Sequence, residues 1–238
     1  MSRLILLALW IASALAVAGP VYCQEKGSTM EGHIRLPPPS REGRISLEAA
    51  IMRRRSVRRF RPQAISIGQA SQLLWSAQGI TDSLRGLRAA PSAGACYPMD
   101  VYLAAGQVSG LEPGNYRYHP LTHSLEMISR GDPREILGWM GRTQPMVTRA
   151  PAIIVIVADP NRIKPRYGVR AERYTFMEAG HIGQNVALQA VVLGLATVMV
   201  GAFSDGGVRK ALGLPPRQIP LYLIPVGYQD DQTMPGDR

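Results

Sequence analysis

Apolar residues recur along this chain in two rhythms, one near 3.6 residues and one of two, and the switches between them outline its elements. Residues 47–54 carry the helical rhythm behind Ser46, which is placed to act as an N-cap. Residues 67–78 repeat it: Ser66 and Gln69 have capping-box spacing, and Leu73, Leu74 and Ala77 share a face. Residues 100–105 then alternate, with Val101, Leu103 and Ala105 on one side, as a half-buried strand does. Residues 115–119 and 124–128 read as a hairpin across Pro120-Leu121-Thr122-His123.

Asp132-Pro133-Arg134-Glu135 has the cap, first-turn proline and box glutamate that open a helix. Residues 152–158 form an unbroken apolar run, Ile153-Ile154-Val155-Ile156-Val157 at its centre, short and β-branched enough for a central core strand. The longest helix is predicted over 171–193, closed by Gly194. A strand at 197–200, a helix at 205–212 closed by Gly213 and a last strand at 221–226 complete the pattern. Helices wrapped on a mixed or antiparallel sheet make this an α+β fold.

With 238 residues, 46% of them hydrophobic, the chain can bury one sizeable core. Its ends read differently. Arg3 followed by an apolar stretch from Leu4 to Val17 and small residues around Ala16 and Ala18 resembles a secretory signal over residues 1–23. The stretch is short for a bilayer span, so no membrane span is expected after cleavage. Residues 24–45 mix charges with glycine and Pro37-Pro38-Pro39, a linker or arm, and 46–238 form the domain. Cys23 and Cys96 offer no disulfide framework, and His33, His119, His123 and His181 are scattered, so no metal site is expected from spacing.

The net charge of +10 owes much to Arg53-Arg54-Arg55-Ser56-Val57-Arg58-Arg59-Phe60-Arg61. Such a run suits a solvated or membrane-facing surface, a nucleic acid, or a cofactor phosphate gripped by guanidinium forks and the Ser56 hydroxyl. Ala90-Pro91-Ser92-Ala93-Gly94-Ala95-Cys96-Tyr97-Pro98 packs small residues between prolines. It reads either as a surface turn or as stiff backbone that a flat ligand can approach closely.

Taken in order, Arg54-Arg55-Ser56-Val57-Arg58, then Pro91 to Pro98, Tyr167-Gly168, Glu178-Ala179-Gly180-His181, Gly201-Ala202-Phe203 and Pro225-Val226-Gly227 resemble the nitroreductase superfamily. The likeness is greatest to its SagB-type dehydrogenase branch. It implies an intertwined homodimer holding FMN at the interface, and no nucleic-acid partner is expected. By that resemblance Arg54, Arg55, Ser56 and Arg58 bind the FMN phosphate and ribityl chain. Pro91, Ser92, Ala93 and Gly94 line the ring from the other subunit, and Gly201 and Ala202 bring backbone to its reactive side. Arg166 and Tyr167 stand where azoline-forming relatives carry a catalytic Lys-Tyr pair, and arginine rarely gives up its proton. Arg170 and Arg173 are candidates to neutralise the reduced ring, while His181 reads as a packing residue. The usual basic residue beyond Pro225-Val226-Gly227 is replaced by Tyr228-Gln229-Asp230-Asp231.

The implied activity is hydride or electron transfer between bound flavin and a small organic or peptide substrate, as a dehydrogenase or oxidase. The alternatives are an NAD(P)H-dependent nitroreductase and a non-catalytic flavin- or anion-binding protein. Export to an extracytoplasmic or periplasmic compartment would favour the first, because the nicotinamide pool is cytoplasmic.

Overall fold

The computed structural model describes residues 32–140 and 144–230, so the expected export signal at 1–23 and the start of the arm lie outside the described residues. In chain order the first half holds β1 (His33–Arg35), α1 (Leu47–Arg53), β2 (Ile65–Ser66), α2 (Ile67–Gln78), β3 (Ile80–Asp82), β4 (Leu87–Arg88) and β5 (Met99–Ala105). There follow β6 (Val108–Ser109), β7 (Gly114–His119), β8 (Ser124–Arg130), α3 (Arg134–Met140), α4 (Pro145–Arg149) and β9 (Ala152–Ala158). The chain closes with α5 (Lys164–Tyr167), α6 (Ala171–Val192), β10 (Ala196–Thr197), α7 (Asp205–Ala211) and β11 (Ile219–Gly227).

Seven strands form one sheet in the order β1-β8-β7-β5-β9-β11-β10, every neighbouring pair antiparallel. The apolar run of β9 is central, as its composition predicts, and its alternate residues enter two separate cores. Ile154 and Ile156 face α2 and α6, packing with Leu73, Leu74, Ile182 and Val186. Ile153, Val155 and Val157 face the other way, onto Leu137, Val147, Val208 and Leu212 of the shorter helices. Burial of both faces explains why β9 shows no alternation.

Two caps behave as read from sequence. Ser46 accepts from Ala49 N, and Ser66 with Gln69 closes a complete capping box. Two features differ. The arm contributes β1, which pairs with β8, and Leu36 beyond it is 3% exposed; a short apolar patch in a polar segment found an open sheet edge. The strand expected at 197–200 is interrupted: β10 pairs with β11 only at Ala196 and Thr197, and Val200 forms an isolated bridge with Leu223. Val198 and Val200 are both buried, so packing supplied the strand-like pattern there without a continuous ladder. Among the described residues, no helix is long and apolar enough to cross a membrane.

Candidate functional site

The sequence-predicted residues fall into two clusters. In the first, the chain leaves α1 at Arg54 and bonds along the β10 region: Val57 N donates to Thr197 O at 3.0 Å, and Ser56 bridges Thr197 in parallel. This brings the arginine segment beside the stretch that continues to Gly201 and Ala202. Arg55, Ser56 and Arg58 are exposed and Arg54 is half-buried. Arg55 is turned back on its own helix, its Nη1 donating to the carbonyls of Met52 and Arg54 at 2.8 Å each. That caps the negative end of α1, while Arg55, Ser56 and Arg58 all remain exposed beside it. Gly201 and Ala202 are exposed, and the Ala202 carbonyl accepts from Gln144 Nε2 at 2.9 Å. A Cβ at Gly201 would meet nothing within 4 Å, so this backbone is open to a ligand.

The second cluster surrounds the small-residue loop. Ser92 Oγ accepts from Tyr97 N at 2.9 Å, and Ala95 and Cys96 N–H close a tight turn onto Ser92 and Ala93 carbonyls. Gly94 sits at φ +58, a left-handed conformation that glycine takes without strain. Arg166 Nη1 donates to Gly94 O at 3.3 Å, and a Cβ at Gly94 would lie 2.6 Å from Tyr167 Oη. The fold thus lays the Arg166-Tyr167 pair directly on the loop that lines the ring by resemblance. Tyr174 packs edge-on against Tyr167, ring centroids 4.9 Å apart. Among the described residues, no hydrogen bond joins 54–58 to 91–94. Arg170, Arg173 and His181 are exposed.

Beneath the loop lies a group that the sequence motif contains without announcing a role for it. Glu178 of α6 is 1% exposed, takes a hydrogen bond from Gln78 Nε2 at 3.1 Å through Oε1, and leaves Oε2 unbonded. Burial pushes its carboxyl up to about 7, against the opposing pull of the Ser92 hydroxyl, the Gln78 amide and the Arg88 and Arg162 charges. Ser92 stands close enough for its hydroxyl to favour the charged form. The available signal was position: Glu178 occupies a site one turn before Ile182 on the buried face of a helix, where an acid is costly.

Asp100, at the loop's exit into β5, is also buried, and burial alone would raise its carboxyl. The Arg162 and Arg117 guanidiniums outweigh that and hold it below the usual carboxylate range. Arg162 also donates to Tyr97 O at 3.2 Å, so this ion pair fixes the loop's far end.

An antiparallel sheet with helices on both faces and these two clusters define an α+β domain of nitroreductase-like fold. The chain belongs to the nitroreductase family, whose model matches residues 51–228. A candidate nitroreductase of Methanocaldococcus jannaschii is 40% identical over 201 residues, 84% of this chain and 98% of that protein. The crystal structure of a candidate nitroreductase from Ralstonia eutropha superposes with a TM-score of 0.74 at 31% identity, covering 86% of this chain and 92% of that one. The microcin B17-processing protein McbC of Escherichia coli is 26% identical over 167 residues, 67% of this chain and 61% of that protein.

Proposed function

We propose that the chain is an FMN-dependent oxidoreductase of the SagB-type branch, exported and dimeric, that oxidises a small organic or peptide substrate. The observation that carries this reading is the contact of Arg166 and Tyr167 with Gly94. The donor set fits the cofactor. Arg54, Arg58 and Ser56 offer guanidinium and hydroxyl donors to a phosphate, and Gly201 and Ala202 offer open backbone to the ring edge. Bound flavin would supply the hydride acceptor. Arg166 holds the loop through the Gly94 carbonyl, while the Tyr167 hydroxyl, beside the same glycine, orients substrate or donates a proton.

Dimerisation is supported by apolar side chains left uncovered on two helices in contact: Leu47, Ile51 and Met52 of α1, and Phe176 and Met177 of α6. A second copy would also let the Pro91–Gly94 loop of one chain meet the arginine segment of the other, as the family resemblance implies. The test is an absorption spectrum of the purified full chain, then anaerobic mixing of FMN-loaded protein with NADH or NADPH. A flavin band that vanishes in Arg58→Ala supports the phosphate assignment, and a colourless protein that ignores added FMN refutes it. Rapid bleaching by a nicotinamide would favour the second reading, an NAD(P)H-dependent nitroreductase, to which the naming of the 40% identical relative lends weight.

A further inference from the structure

At the sheet edge opposite the arginine segment, three side chains that take no part in the site above come together. His33 lies on β1, His119 ends β7, and Glu126 lies on β8 between them. Register sets His33 directly across from Glu126, and His119 across from Ser124, so strand alternation brings all three to one face. His119 Nε2 is 2.8 Å from Glu126 Oε2, and the two imidazole rings are 4.6 Å apart. One ligand atom from each residue lies within 4.8 Å of the others, and all three residues are half-buried.

We propose that His33, His119 and Glu126 form a site for a zinc-class divalent metal that clamps the N-terminal strand to the sheet. Two imidazoles and one carboxylate are a donor set for zinc, with a fourth position left to water, whereas calcium and magnesium prefer oxygen alone. Donors around a tetrahedral zinc stand roughly 3.3 Å apart, given bonds of about 2.0–2.1 Å, so small side-chain rotations close the site. Ser124 Oγ, 3.3 Å from His33 Nδ1 and 2.7 Å from Thr122 Oγ1, supplies an orienting hydrogen bond of the kind metal-binding histidines use. Sequence spacing hid the site, because its ligands converge only once the arm joins β8. The consequence is mechanical: β1 is a three-residue edge strand, and a metal shared among β1, β8 and β7 would tie it down.

The test is calorimetric titration of zinc into the full chain, without a polyhistidine tag and after chelator treatment. Expected is one ion per chain at a Kd of about 10 μM or tighter, weakened at least about 30-fold by His33→Ala, His119→Ala or Glu126→Gln, and no calcium binding in the same range. Hydrogen exchange gives a second readout: zinc should slow exchange at Ile34 and Leu36 in the unaltered chain and leave His33→Ala unchanged. His33→Ala alters only an edge strand, so it keeps the test open should His119→Ala misfold. Absence of saturable binding below about 1 mM, or equal binding by all variants, overturns the proposal.

Discussion

Replacing Glu178 by glutamine should remove a pH dependence of folding that this one side chain creates. The unfolded chain releases the Glu178 proton near its ordinary 4.5, whereas the folded chain keeps it to about 7. Between those values the folded state binds the extra proton, so stability falls as pH rises. The contribution is complete below the lower value and gone above the higher one. At ~1.4 kcal/mol per pH unit the whole difference is about 3 kcal/mol. Glutamine keeps an oxygen for Gln78 Nε2 and carries no charge, so the variant should match the parent at acid pH and exceed it by up to about 3 kcal/mol at alkaline pH.

Urea denaturation followed by tryptophan fluorescence, at fixed flavin concentration from about pH 4 to about pH 8, measures it through the midpoint if m is unchanged. His123 complicates the parent's absolute curve, since burial lowers its pKa and makes stability rise with pH over the same range. The difference between parent and variant cancels that term. Parallel curves for the two proteins would refute the reasoning, and would mean that water or backbone movement already solvates Glu178.

Asp100→Asn removes the buried carboxylate that Arg162 and Arg117 share and should cost about 3 kcal/mol, read by the same denaturation. In the parent, the depressed Asp100 pKa makes its share of stability complete above the ordinary 3.8 and lost as pH falls through the lower folded value. Gly94→Ala places a Cβ against Tyr167 and Arg166 at a positive φ, and should weaken FMN retention at least about tenfold with far-UV circular dichroism unchanged. Phe176→Glu with Met177→Glu should yield a flavin-poor monomer in sedimentation, and a flavin-loaded dimer would contradict the assigned interface.

Local rules made most of the fold legible. The Ser66–Gln69 capping box, the β9 run and the Gly194 and Gly213 stops are decided within a few residues, and each appears where the pattern puts it. Elements decided by distant partners were not legible. β1 exists because β8 offers an open edge to His33, Ile34 and Arg35, and no periodicity over three residues can announce that. Strand 197–200 shows the converse: its pattern reflects burial of Val198 and Val200, and the ladder it implied is broken between Thr197 and Val200.

The candidate site follows the same division. Gly94 and the arginine run were visible because backbone freedom and charge density are properties of the residues themselves. The role of Glu178 was not, although its motif was, because its chemistry comes from what surrounds it: the same side chain on the exposed face of α6 would titrate as an ordinary acid. Helix α6 therefore has a distinct role on each of its two faces. Its buried face sets a carboxyl under Ser92 that changes charge near neutrality, and its outer face exposes Phe176 and Met177, the surface proposed to meet a second copy. If that copy delivers the other half of the flavin site, ring binding and Glu178 protonation become linked through the Ser92 loop. Flavin affinity should then shift with pH around 7 in the parent and lose that shift in Glu178→Gln, a comparison that separates a carboxyl coupled to the site from one that is merely buried beneath it.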